Sequence, residues 1–257
     1  MPIDEVETIS VDDVEEKKCG ENEKKQPRRE VYLLPNLFTT AALFSGFYSI
    51  IAAMNGHYTY AAMAIFISMV FDGLDGRVAR LTRTESAFGA EYDSLADMVS
   101  FGIAPALVVF TWSLAPLGKV GWIAAFIYAV GAALRLARFN TMIGVEDKRY
   151  FTGLPSPAAA AIVAGVIWAA NEKGLSGESM ATMMMLLVPI VGLLMVSNVK
   201  YRSFKDLNLK GRVPFVVLLI AVLVLVFIAL EPALLLMSVF CLYGVWGVLG
   251  IAFKRFR

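Results

Sequence analysis

The chain has 257 residues, of which 58% are hydrophobic, with a mean hydropathy of +0.66 and a formal net charge of +1. Soluble domains sit near about 45–50% apolar residues, so the excess points to a lipid solvent, and the near-neutral charge gives no footing for nucleic acid as a partner. Two cysteines, Cys19 and Cys241, and a single histidine, His57, exclude a disulfide framework and a histidine-cluster metal site.

Residues 1–30 place Asp4, Glu5, Glu7, Asp12, Asp13, Glu15 and Glu16 ahead of Lys24, Lys25, Arg28 and Arg29. Too few apolar residues are present to build a core, so a disordered tail is expected. No apolar stretch follows a basic start, as a signal peptide requires. The basic end suits anionic headgroups and solvent alike.

From Leu33 onward eight apolar spans are expected, at about 33–54, 58–80, 91–115, 119–140, 155–171, 181–199, 213–230 and 232–253. The predicted fold class is therefore an all-α integral membrane protein of about eight transmembrane helices. Of the 23 Lys and Arg residues, all but Lys119 and Lys173 fall on the side of the N-terminus in that scheme. Positive residues collect in the cytoplasm, so both termini and the 2–3, 4–5 and 6–7 junctions are expected there. His57 falls in a short turn on the opposite side and reads as a solvated loop residue.

The second and third spans are unusual because polar residues continue the helical pattern at their facing ends. Asp72, Asp75, Gly76, Ala79 and Arg80 recur at i, i+3, i+4, i+7 and i+8, one face of a helix. Gly89, Asp93 and Asp97 recur at i, i+4 and i+8, one face of the next. A short connection makes those helices neighbours, so four carboxylates converge near their cytoplasmic ends. Each buried carboxylate costs about 2.5–3.5 kcal/mol at the centre of a bilayer, and close anions repel one another. Divalent cations answer both costs. Hard oxygen donors suit Mg²⁺, Mn²⁺ or Ca²⁺, and four carboxylates suffice for two ions about 3.5–4 Å apart. Gly76 and Gly89 leave room for a ligand, and Arg80 offers a fork for phosphate. A helix cap or a packing contact explains one such position but not two faces in register.

The run Asp72-x2-Asp75-Gly76-x2-Ala79-Arg80-x8-Gly89-x3-Asp93-x3-Asp97 resembles the signature of the CDP-alcohol phosphotransferase family, with all eight positions present. Beyond the tail over 1–30, set apart by its composition, the resemblance implies a six-helix catalytic core over 31–200 and two additional helices over 201–257. It implies transfer of a substituted phosphoryl group from a CDP-linked donor to an alcohol, with release of CMP. It also implies that Asp72, Asp75 and Asp93 bind metal, Mg²⁺ or Mn²⁺ and two ions in all. Asp97 then binds metal and also deprotonates the acceptor hydroxyl. Gly76, Arg80, Ser86 and Gly89 are implied along the CDP-donor site. Pro35-Asn36-x2-Thr39 resembles the family's PNxxT start of the first helix, which sets Asn36 and Thr39 beside the nucleotide. Taken alone, Pro35 and Asn36 equally mark a helix start.

Arg135-Leu-Ala-Arg138-Phe-Asn140 and Phe151-Thr-Gly153-Leu-Pro155-Ser156-Pro157 resemble the membrane-embedded phosphatidylserine synthase branch. That branch implies CDP-diacylglycerol as donor, L-serine as acceptor, a homodimer, and a bacterial inner membrane with the active site facing the cytoplasm. Arg138 is the candidate for the serine carboxylate, with Asn140 and Ser156 as hydrogen-bonding partners. The residues alone leave glycerol 3-phosphate, inositol phosphate or choline open as acceptors. An intramembrane prenyltransferase would place its aspartate motifs far apart, whereas Asp75 and Asp93 are 18 residues apart. A cation transporter would show broken helices and repeats, and neither is evident.

Overall fold

The computed structural model describes residues 33–82, 84, 86–142, 150–202, 219 and 230–255. The expected tail, 1–30, and nearly all of the expected span 213–230 lie outside the described residues. The described chain is helical apart from one small sheet. Its helices are α1 (Leu33–Met54), α2 (Tyr58–Thr82), α3 (Ala87–Leu117), α4 (Lys119–Thr141), α5 (Ser156–Glu172), α6 (Ala181–Val196) and α7 (Pro232–Arg255).

Helices α1 and α2 form an antiparallel hairpin around the Asn55–His57 turn, where Gly56 adopts φ +78°, a conformation that favours glycine. Polar atoms knit the pair: Ser45 Oγ donates to the Ala64 carbonyl at 2.9 Å, Ser49 to Ala61 at 2.8 Å and Ser68 to Ala42 at 2.8 Å. Small serines both allow close approach of the backbones and satisfy their own hydroxyls, the usual solution between helices in lipid. Helix α5 is the centre of the bundle. Every residue from Ala158 to Ala170 is buried, because its composition is apolar on all sides and mostly alanine. It packs against α2 on one side and α7 on another, while α4 pairs with α6.

Helices α1, α3 and α4 are long and apolar enough to cross a membrane, and α6 and the Pro232–Gly247 part of α7 are shorter apolar helices. The protein is a membrane protein. Helix α2 stays continuous, but its apolar character gives way to the Asp- and Arg-bearing run from Asp72 to Arg80 in its last turns, where the candidate site begins.

Two features differ from the sequence expectation. The third span starts at Ala87 rather than near 91, because Ser86 caps it: its Oγ accepts from the Gly89 N–H at 3.0 Å. It then runs for 31 residues, about 46 Å at 1.5 Å per residue, so its polar first turns extend beyond a hydrocarbon layer of about 30 Å. Wider π turns interrupt it at Met98–Ile103 and Phe110–Leu114. A two-stranded sheet is also present, with β1 (Tyr150–Thr152) antiparallel to β2 (Lys200–Arg202) and Phe151 opposite Tyr201. Strands of three residues are too short to leave an alternation signal.

Candidate active site

Three helix ends meet at one face of the bundle: the first turns of α1, the last turns of α2 and the first turns of α3. Asp72 and Asp75 project from α2 and Asp93 from α3, and one carboxylate oxygen from each lies within 4.8 Å of the others. Asp75 is 5% exposed and Thr39, from α1, is 4% exposed. The Thr39 hydroxyl is 2.8 Å from Asp75 Oδ2 and 3.1 Å from the Pro35 carbonyl of its own helix. Thr39 thereby fixes the orientation of one carboxylate by holding it from a third helix.

The trio fits a divalent cation. Oxygens that share an ion at about 2.1–2.5 Å lie up to about 4.2–5 Å apart, which brackets the observed spacing. The donor set is all carboxylate oxygen, which favours hard cations over zinc. Asp97 stands one turn beyond Asp93 and outside the trio, with its carboxyl at hydrogen-bonding reach of Asp72 and close to the Arg135 guanidinium. The π turn of α3 begins directly after it, at Met98. That turn is anchored from two sides: Tyr128 donates to the Phe101 carbonyl at 3.0 Å, and Ser100 donates to the Ala42 carbonyl at 3.1 Å.

Beside the trio opens a cavity of about 290 Å³, walled by Pro35, Asn36 and Thr39 of α1, Asp75, Gly76 and Ala79 of α2, Thr84 and Ser86 of the connection, and Gly89, Ala90 and Asp93 of α3. Five of the expected donor-side residues, Asn36, Thr39, Gly76, Ser86 and Gly89, therefore share one cavity. A side chain added at Gly76 would meet nothing within 4 Å, whereas at Gly89 it would approach Ser86 Oγ at 3.1 Å and Asn36 Oδ1 at 3.6 Å. Bulk at Gly76 would fill the cavity, and bulk at Gly89 would press on its walls. Arg80 is not among those walls. Its Nε donates to the Gly76 carbonyl at 2.8 Å and the side chain lies exposed along its own helix.

The acceptor-side residues are more dispersed. Asn140 Nδ2 donates to Ser94 Oγ at 3.0 Å, tying the end of α4 to α3. Arg138 is half-buried in the last turn of α4. Ser156 is fully buried, and its hydroxyl accepts from Arg135 Nη1 at 2.6 Å. Arg135, rather than Arg138, is thus the cation set beside Asp97 and Asp72. Sequence reasoning singled out Arg138. The two lie three residues apart on one helix face, and only depth in the bundle separates them. Thr84, 5% exposed and on the cavity wall, is the other residue that motif reasoning passed over.

Residues 32–196 match the family model for CDP-alcohol phosphatidyltransferase. The chain is 36% identical over 220 residues to a CDP-diacylglycerol–serine O-phosphatidyltransferase of Helicobacter pylori, covering 85% of this chain and 92% of that one. It is 32% identical over 228 residues to the enzyme of that name from Mycobacterium leprae, covering 86% and 75%. Among solved structures, a phosphatidylinositol phosphate synthase of Mycobacterium tuberculosis with CDP-DAG bound aligns with a TM-score of 0.49 and 20% identity, over 65% of this chain and 80% of that one.

Proposed function

The chain belongs to the CDP-alcohol phosphatidyltransferase family, and from that premise we propose that it transfers a phosphatidyl group from CDP-diacylglycerol to the hydroxyl of L-serine, giving phosphatidylserine and CMP. The carboxylate trio at the edge of a glycine-lined cavity carries the reaction type. The names of relatives that align along most of their length support serine as acceptor.

The site divides the work between its two sides. The cavity takes the donor's nucleotide and diphosphate, with Gly76 leaving its approach clear and Asn36, Thr39, Ser86 and Gly89 around it. Asp72, Asp75 and Asp93 would hold Mg²⁺ or Mn²⁺, two ions with Asp97 contributing. That group would supply positive charge opposite the departing CMP phosphate. Arg80 reaches the diphosphate by leaving its contact with Gly76, a rotamer change open to an exposed side chain. On the other side Asp97 accepts the proton of the serine hydroxyl as the new P–O bond forms. Arg135 lies nearest that carboxylate and is the better-placed partner for the serine carboxylate, with Arg138 and Asn140 further out toward the helix end.

The proposal extends to a catalytic core over 31–200 with two further helices, eight spans in all, a homodimer, and a bacterial inner membrane with both termini and the active site cytoplasmic. The distribution of Lys and Arg supports the orientation. Cysteines introduced at the exposed positions His57 and Lys173 are expected to react with an impermeant reagent from the side opposite one at the exposed Thr82. His57 and Thr82 labelled from the same side would overturn the topology.

The direct test is CMP release from CDP-diacylglycerol with serine, glycerol 3-phosphate, inositol and choline offered separately. Serine is expected to stimulate release and the others to leave it near background. Stimulation by glycerol 3-phosphate but not by serine would overturn the acceptor assignment and leave the family chemistry in place.

A further inference from the structure

Helix α3 changes its winding directly after Asp97. From Met98 to Ile103 it forms a π turn, in which each N–H reaches back five residues rather than four, as the Ala104 N–H does to the Val99 carbonyl. Such a turn admits one extra residue, and one residue is about 100° of rotation at 3.6 residues per turn. The π turn therefore sets the angle between the first turns of α3, which carry Asp93 and Asp97, and the rest of the helix. That remainder has no room to rotate, because Phe101, Ala104, Val108 and Val109 are fully buried in the bundle. A change in the turn is passed to the polar end instead.

Contacts from the neighbouring helices hold the turn open. Pro105 has no N–H to give the Phe101 carbonyl four residues before it. The fully buried Tyr128 of α4 donates its hydroxyl to that carbonyl at 3.0 Å. On the other side Ser100 donates to the Ala42 carbonyl of α1 at 3.1 Å, the same oxygen that takes the Ser68 hydroxyl of α2 at 2.8 Å. Gly46 lets α1 come that close, since a side chain there would meet Ser100 Cα at 2.7 Å. Asp93, one turn further from the π turn, has braces of its own. The hydroxyl of its neighbour Tyr92 lies 2.9 Å from Thr40 Oγ1 on α1, and its neighbour Ser94 accepts from Asn140 Nδ2 of α4 at 3.0 Å. Asp97 stands at the lip of the turn, so its backbone follows the turn.

We propose that the π turn sets the position of Asp97, with Tyr128 as a positioning residue that holds the turn open through the Phe101 carbonyl. This rests on Asp97 taking the proton of the acceptor, as read above. Asp93 and Asp97 are then placed by different contacts although they share one helix face.

The test is Tyr128→Phe, alone and in the Asp97→Asn background. Phenylalanine keeps the ring and deletes the hydroxyl. With the alcohol that drives CMP release in wild type, kcat is expected to fall about ten- to a hundredfold, the scale of a reacting group misplaced by about 1 Å. Affinities for CDP-diacylglycerol and for Mn²⁺, measured by calorimetry, should stay near wild type. In the Asp97→Asn background the same substitution should change kcat by less than about twofold, because a residue that acts through Asp97 has nothing left to position. Ser100→Ala, which leaves Ser68 on the Ala42 carbonyl, should lower kcat by a smaller factor with the same dependence on Asp97. A Tyr128→Phe kcat near wild type overturns the inference. So does an equal fall in both backgrounds, or a loss of donor affinity in step with kcat, either of which marks a merely structural contact. Those outcomes leave Asp97 as the base. Asp97→Asn turning over near the wild-type rate overturns that reading itself, and the inference falls with it.

Discussion

Alanine at Asp72, Asp75 or Asp93 is expected to reduce CMP release at least about a thousandfold, the scale of several kcal/mol of lost charge stabilisation. The three oxygens lie within 4.8 Å and come from two helices, so two remaining carboxylates cannot close a shell around a hard cation. Stability should respond with opposite sign in the two conditions. In chelator the three anions repel one another, so removing one relieves strain and the thermal midpoint should hold or rise. With Mg²⁺ or Mn²⁺ at a hundred times the dissociation constant, wild type should gain stability by about 2.7 kcal/mol through binding, and the alanine variants should lose that gain. Thermal shifts of detergent-solubilised protein with and without chelator check both signs. Activity of the wild type that persists in excess chelator would overturn the metal assignment, whatever the variants do.

The carboxylate cluster was legible because helix periodicity is strict. Asp72 and Asp75 at i and i+3, and Asp93 a short connection later, leave two adjacent helix faces little freedom to miss one another. The span boundaries were legible for the same reason, since α1, α4 and α5 begin and end where apolar content does. The start of α3 was misplaced because its first turns are polar and its cap is a serine, so hydropathy alone could not see it. Depth and rotamer left no trace in the sequence. Arg135 and Arg138 share a face, and only packing shows that the former meets Ser156. Arg80 shares the face of the aspartates, yet its side chain turns back to Gly76. The sheet and the contacts of α7 join residues far apart in the chain, which no local pattern records.

Asp97→Asn tests whether the carboxylate proposed to take the proton acts apart from those proposed to hold metal. Asp97 lies on the face of Asp93 but outside the oxygen trio, touching Asp72 and facing Arg135. That placement gives it one side toward the metal site and one toward the acceptor. Asparagine keeps the shape and one oxygen donor but cannot take a proton. The variant is expected to bind CDP-diacylglycerol and divalent cation at modestly reduced affinity, while kcat falls by about 10²–10⁴, the range for a lost general base. Asp72→Asn, inside the trio, should weaken donor and cation binding together with rate. Donor binding has to be measured directly by calorimetry, because KM mixes affinity with chemistry. The wild-type rate should rise with pH until the base is deprotonated, and that limb should be missing in Asp97→Asn. A variant that turns over near the wild-type rate with the limb intact would move the base elsewhere, and Asp93, one turn away on the same face, would be the next residue to test.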